Sequence, residues 1–179
     1  MPGLPHDLDV QVAKLRLLKS SHQSQKYQLE DRLLQYYPRE IAATKAAIMG
    51  CEADIKTRDA HPAPADGLAG IELQGQHYDE RVAAGEALLN ILPTVQDTQP
   101  VHVGSFRGFD VEVSLEAFGK HVLTLKGALE YHVELGADAR GNVTRIENAM
   151  PMIGGKLDTF RARLSDLERQ VENARKELE

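Results

Sequence analysis

The sequence predicts an α+β protein in which a long antiparallel helical coiled-coil stalk carries an inserted antiparallel β-meander head with one helix. Three patterns lead to this prediction. Apolar residues recur at helical spacing in residues 7–60 and follow an unbroken heptad repeat in residues 144–179. Within residues 61–143 they alternate with polar residues, as in strands. These ranges are the three expected domains: an N-terminal arm, a head and a C-terminal arm.

The N-terminal arm carries an apolar stripe with one irregular step of four residues after Leu33. Pro38 allows two interpretations, either a kink in one continuous helix or a turn that begins a second helix. The absence of loop-forming residues on either side favours the kink. The stripe consists of Leu8, Val12, Leu15, Leu29, Leu33, Tyr37, Ile41, Thr44, Ile48, Cys51 and Ile55.

The head follows a Pro- and Gly-rich linker at residues 61–67. We expect a short strand at residues 71–73, a helix capped by Asp79 that runs to about Leu92, and a four-stranded meander between residues 101 and 135. Alternation places Asp110 and Glu112 on the solvent side of this meander. Its histidines are interpreted as solvated strand residues rather than metal ligands; they are His102, His121 and His132.

The C-terminal arm shows the clearest signal, because ten apolar positions keep heptad spacing without interruption. Thr144 and Glu147 resemble a capping box that begins the helix. Pro151 is expected to bend the helix without ending it, because the repeat keeps its register there. The repeat consists of Ile146, Met150, Ile153, Leu157, Phe160, Leu164, Leu167, Val171, Ala174 and Leu178.

Composition excludes several classes of protein. Among 179 residues, 42% are hydrophobic and 27% charged, which is typical of a folded domain rather than a disordered chain. The single cysteine, Cys51, excludes an intramolecular disulfide and is expected to be a small buried residue. No apolar segment reaches the ~20 residues that a membrane span needs. We therefore expect a soluble cytoplasmic protein that does not contact membranes.

No motif for chemistry is found in the sequence. It contains neither a phosphate-binding loop of the Gly-x-x-x-x-Gly-Lys-Ser/Thr type nor a Gly-x-Gly-x-x-Gly fingerprint. We expect no catalytic residue, no cofactor and no metal site, and therefore no enzymatic activity of this chain by itself.

Charge is distributed unevenly along the chain. Residues 61–143 hold 5 Lys and Arg against 12 Asp and Glu, whereas the two arms are nearly balanced. An acidic head repels nucleic-acid phosphates. Residues 10–29, in contrast, contain four cations and no acid. The candidate DNA-binding residues of this segment are Lys14, Arg16, Lys19, His22, Gln23, Gln25 and Lys26.

Several segments resemble the giant helicase/methyltransferase proteins of bacterial conjugative and other mobile elements. They are residues 8–19, residues 22–31, Tyr37-Pro38, Val103–Phe109, Leu123–Gly127 and Gly141–Ala149. Those proteins combine a Swi/Snf-like superfamily-two helicase with an adenine-specific DNA methyltransferase, and the resemblance covers residues 7 to 179. It implies an accessory segment downstream of the motor, in a bacterial cytoplasmic protein that processes DNA. Because no motor or methyltransferase motif occurs here, no catalytic residue is transferred.

Two functions follow as hypotheses. The first is a non-catalytic scaffold or docking module that contacts other domains of the parent protein. The alternative is a DNA-contacting module that uses the basic residues of the first helix. Pairing the arms outward from the head leaves residues 8–24 without a partner, which predicts self-association through them. The chain ends without a helix stop signal, so we expect the last helix to continue in a longer protein.

Overall fold

A computed structural model describes residues 4–179, with side chains from residue 8 onward, and shows an α+β fold. Its helices are α1 (Leu4–Asp31), α2 (Tyr37–Ala60), α3 (Arg81–Ile91), α4 (Ala139–Ala149) and α5 (Met152–Leu178). Its strands are β1 (Ile71–Leu73), β2 (Gln76–Tyr78), β3 (Val101–Phe106), β4 (Phe109–Leu115), β5 (His121–Lys126) and β6 (Glu130–Glu134). The chain divides into two compact units, one formed by residues up to Lys45 with Ala162–Glu179, the other by Ala46–Arg161.

The first arm is helical from α1 through α2, and the chain does not turn at Pro38. A π-helical turn, Arg32–Tyr36, joins the two helices, and the amide of Tyr37 donates to the carbonyl of Arg32. A π turn inserts one residue into the helical repeat. This explains the irregular step after Leu33, and the wider turn lies just before the proline, whose ring would crowd a regular helix.

In the first unit, α5 packs antiparallel to the first arm. Glu40 pairs with Arg163 at 3.2 Å, whereas Lys26 lines a cleft together with Glu177. The residue numbers therefore rise along one helix as they fall along the other. Hydrogen bonds to Glu40 and then to Tyr36 raise the pKa of Arg163. A small apolar cluster holds the helices together, consisting of Leu29, Leu33, Tyr36, Tyr37, Ile41, Leu167, Val171 and Ala174.

The second unit is built on one antiparallel sheet with the strand order β2-β1-β3-β4-β5-β6. One face of this sheet is apolar and packs against the helices of the unit. Phe109, Val111 and Leu125 are fully buried there against residues such as Leu88 and Ile146. The opposite face is polar, as the alternation of β4 predicts. It carries Glu72, Asp110, Glu112, Lys126 and Glu130.

The structure corrects four predicted details. An additional strand, β2, pairs with β1 through a two-residue turn in which Gln74 and Gly75 both have positive φ. Helix α3 is capped by Glu80 rather than Asp79, because the Glu80 carboxylate accepts from the amide of Ala83. Hydrogen bonds from the backbone amides of Ala83 and then of Val82 lower the pKa of Glu80.

The other two corrections concern the start of the second arm. Helix α4 begins at Ala139, with Asp138 rather than a Thr144 capping box at its N-terminus. The helix is then interrupted at Met150 and Pro151, so that two helices, α4 and α5, replace the single bent helix that was expected. Pro151 lacks the N–H that a continuous helix needs. All ten heptad positions are nevertheless buried or half-buried.

Among the described helices, none combines the length and the apolar character needed to cross a membrane.

Candidate functional site: the exposed face of helix α1

Helix α1 is exposed along most of its length. Every described side chain from Leu8 to Gln28 is exposed to solvent, and burial begins only at Leu29. Large apolar residues are among them: Leu8 is 59% exposed, Leu15 65% and Leu18 57%. Surface leucines occur singly on most proteins, whereas a contiguous apolar surface marks an interaction site.

The exposed apolar residues continue the interface with α5. From Leu33 and Leu29, which pack against α5, heptad steps of four and three lead back along α1. We call these positions the α1 seam; in order towards the N-terminus they are Leu33, Leu29, Lys26, His22, Lys19, Leu15, Val12 and Leu8. The face that binds α5 at one end of α1 is therefore exposed at the other end.

All seven candidate DNA-binding residues lie exposed on α1, but they do not form one surface. Arg16, Lys19, Gln23 and Lys26 follow steps of three and four residues and share one side of the helix. The other candidates point elsewhere around the helix; Lys14 and Gln25 lie on the opposite flank of the seam, with His22 between the two groups. Neither side carries an acidic residue between positions 10 and 29.

Part of the candidate set lies across a cleft from α5. His22, Gln25 and Lys26 line this cleft of about 410 Å3 together with Leu29, and Glu177 and Leu178 of α5 line it as well. A carboxylate at this cleft opposes the approach of a phosphate. At this end of its exposed stretch, α1 therefore lies near one acidic and one apolar residue of α5.

The second unit contains a buried polar cluster that the sequence did not reveal. The Asp54 carboxylate accepts hydrogen bonds from the amides of Ala128 and Leu129, at 2.7 and 2.9 Å, and from the hydroxyl of Tyr131 at 2.7 Å. Cys51 Sγ lies 3.8 Å from the same hydroxyl. Burial, followed by the hydrogen bond to Asp54, raises the pKa of Tyr131.

This cluster fastens α2 to the turn between β5 and β6. Asp54 is 1% exposed and Cys51 is fully buried, as predicted for the cysteine. Both carboxylate oxygens thus accept hydrogen bonds from groups of the fold itself, and the side chain is removed from solvent. The only signal in the sequence was a carboxylate three residues after Cys51, on the apolar side of the helix.

A polar cleft of about 380 Å3 lies at the end of α2. His61, Glu72, His77, Ser105 and Arg107 are among its lining residues. Such a set could bind an anion, but the guanidinium of Arg107 donates to the carbonyls of His61, at 2.8 Å, and Arg58, at 3.2 Å. Burial and then the nearby Arg58 lower the pKa of Arg107. The guanidinium of Arg107 therefore caps the C-terminal end of α2.

The three histidines of the meander are separate. His102 lies 3.6 Å from Asp110, His121 contacts the carbonyl of Val95 at 2.9 Å, and His132 contacts Thr124 at 3.0 Å. Across the part of the chain that the structure describes, no group of three or more His, Cys, Asp or Glu side chains could hold a metal ion.

Neither a family model, nor a curated protein, nor a solved structure matches the chain.

Proposed function

We propose that the chain is a non-catalytic scaffold or docking module of a larger bacterial DNA-processing protein of the helicase/methyltransferase class. The observation that carries the proposal is the α1 seam, which is half-buried against α5 at Leu29 and Leu33 and exposed from Lys26 back to Leu8. A helix face with interface spacing and no partner is suited to binding another domain.

The second unit supports the same function. Two of its buried or partly buried charged groups are engaged within the fold: Asp54 holds a turn and Arg107 caps α2. Arg81 and Glu147 form a two-pronged ion pair, at 2.7 and 3.0 Å, between α3 and α4. These contacts stabilise the sheet and its helices rather than orient groups towards a reacting molecule.

We further propose that the helices of the first unit form a coiled coil, as the sequence predicts. The support is the heptad spacing on both helices and the burial of Tyr37, Leu167 and Ala174 between them. An antiparallel coiled coil would hold α1 stiff and present its exposed seam at a fixed orientation.

The docking function is tested by titrating the chain against the purified motor and methyltransferase segments of a helicase/methyltransferase protein of this class, using calorimetry. We expect binding to one of them with a dissociation constant of about 1–10 µM. Replacing Leu15 by Glu should weaken it at least about tenfold, because the substitution removes an apolar contact of the seam and places a charge in the interface. Met49→Glu is the matched control, since Met49 is an exposed apolar residue of α2 in the other unit.

Absence of binding to both segments at about 100 µM would overturn the docking proposal. Equal weakening by Leu15→Glu and Met49→Glu would place the interaction elsewhere on the chain and would contradict the role of the α1 seam.

The alternative function is contact with DNA through the basic residues of α1. It is favoured by the exposure of Lys14, Arg16, Lys19 and Lys26. The affinity for duplex and single-stranded DNA, measured across a salt series, would then fall with salt, and replacing these four residues by Gln would flatten the dependence. Salt-independent or undetectable binding would exclude this alternative.

A further inference from the structure

We propose that the α1 seam binds an acidic amphipathic helix that runs antiparallel to α1, with carboxylates of that helix paired to Lys19 and Lys26. This inference rests on the docking function proposed above and specifies the chemistry of the partner.

The exposed part of the α1 seam continues an interface that already exists. Leu29 and Leu33 pack against α5, and Leu15, Val12 and Leu8 extend the same heptad spacing beyond it. A partner helix on this extension would meet side chains of the same type and spacing as those that meet α5. An extended strand or a flat surface would not match a stripe that follows heptads.

The α1 seam also carries positive charge. Three successive seam positions are polar, namely Lys19, His22 and Lys26, and no acidic residue lies between positions 10 and 29 to neutralise them. A wholly apolar partner would remove two ammonium groups from water without compensation. A partner with carboxylates at the facing positions would pair them, and such polar seam positions also fix the register of a coiled coil.

Helix α5 shows the same combination of residues. At the only stretch of the polar seam that another described helix reaches, Glu177 and Leu178 line the same cleft as Lys26 and Leu29. One acidic and one apolar residue of α5 thus lie at the cleft with one basic and one apolar residue of α1. The inferred partner repeats this combination along the remaining exposed seam.

Two other occupants fit the surface less well. In a second copy packed antiparallel with the two seams in register, Lys19 and Lys26 of each chain would face apolar residues of the other and would be removed from water without carboxylates to pair with. Self-association through residues 8–24, expected from the sequence, therefore becomes a competing outcome. DNA would pair with the cations but would leave Leu8 and Leu15 exposed.

The test uses the full chain and a labelled synthetic helical peptide of about four heptads. The peptide carries Leu at its own seam positions, except that Glu stands at the positions that would face residues 19–26 and at the positions flanking its seam. A second peptide has Gln in place of every Glu. In fluorescence anisotropy at ~0.1 M salt, the Glu peptide should bind at least about tenfold more tightly than the Gln peptide, and salt near 1 M should reduce this ratio.

Charge reversal locates the effect. The double variant Lys19→Glu, Lys26→Glu should abolish or invert the preference for the Glu peptide. The matched control is Lys45→Glu, Lys56→Glu, which reverses two exposed lysines of α2 and should leave the preference unchanged.

Equal affinity for both peptides, or a preference that survives the Lys19 and Lys26 reversal, would overturn the inference. So would a dimer, seen by sedimentation, that the Glu peptide fails to dissociate. Binding of the motor or methyltransferase segment without binding of the Glu peptide would refute this inference alone and leave the docking function standing.

Discussion

The hydroxyl of Tyr131 donates to the Asp54 carboxylate at 2.7 Å and links strand β6 to helix α2. The two residues are far apart in the sequence, and both are largely removed from solvent. The same carboxylate also accepts the amides of Ala128 and Leu129. One side chain therefore satisfies three donors and fixes the turn between β5 and β6 against α2.

Removing this carboxylate should destabilise the fold. Asp54→Ala leaves the amides of Ala128 and Leu129 and the buried hydroxyl of Tyr131 without this acceptor, so we expect the free energy of unfolding to fall by about 3 kcal/mol. Tyr131→Phe removes a single donor and should cost about 1–2 kcal/mol. Urea denaturation measures both. The exposed Asp158→Ala serves as the control and should change stability by less than about 0.5 kcal/mol. An equal effect of Asp54→Ala and Asp158→Ala would contradict the assigned role.

The same cluster predicts a dependence of stability on alkaline pH. The pKa of Tyr131 is raised above its usual value of 10.0 by burial and by Asp54, so the folded chain retains the phenolic proton more strongly than the unfolded chain. This contribution is complete below pH ~10 and is lost as the pH rises through the folded-state pKa. Stability measured between pH 9 and 11 should therefore fall more steeply for the wild type than for Tyr131→Phe. Parallel curves would show that Tyr131 does not titrate differently on folding.

Two glycines should respond in opposite directions to alanine. A Cβ on Gly85 would lie 2.1 Å from the carbonyl oxygen of Ala139, so α3 and α4 could not keep their close approach. We expect Gly85→Ala to cost about 2–3 kcal/mol. Gly154, in the first turn of α5, has no neighbour within 4 Å of such a Cβ, and Gly154→Ala should raise stability by about 0.5–1 kcal/mol. Thermal unfolding of both variants tests this, and destabilisation by Gly154→Ala would contradict the packing described for α5.

Long-period patterns in the sequence predicted the helices well. The heptad repeat from Ile146 to Leu178 identified buried or half-buried positions over its whole length, because burial on a helix depends mainly on spacing. The irregular step after Leu33 corresponds to the π turn Arg32–Tyr36, although the sequence alone did not specify that form.

Short elements and caps were predicted less well. Strand β2 has only three residues, of which Gln76 and His77 are exposed, so no alternation could reveal it. The sequence offers both Asp138 and Thr144 as the start of a helix, and pattern alone does not choose between them. The two hydrogen bonds between the side-chain amide of Asn142 and the backbone of Gly136 were likewise not predicted. The role of Asp54 depends on a contact between distant segments, which periodicity does not encode.

The continuous helix leads to a prediction about Leu34. This residue is 77% exposed and lies in the π turn, whose extra residue shifts the stripe between Leu33 and Tyr37. Deleting Leu34 together with Pro38→Ala should convert the turn to a regular α-helix and keep both stripes aligned with α5. Circular dichroism should then show unchanged helicity and an unfolding temperature no lower than that of the wild type. Loss of helicity would show that the π turn has another cause. Leu34→Ala with Pro38→Ala is the control that retains the chain length.

Hydrogen exchange of the α1 amides tests the docking account most directly, because it compares the exposed seam with and without a partner. In the chain alone, residues 8–27 should exchange much faster than residues 37–60, since an unpacked helix opens locally at low cost. Adding the motor or methyltransferase segment that binds should slow exchange in residues 8–27 by at least about tenfold and leave residues 37–60 unchanged. Binding without any added protection in residues 8–27 would contradict the assignment of the α1 seam as the docking surface.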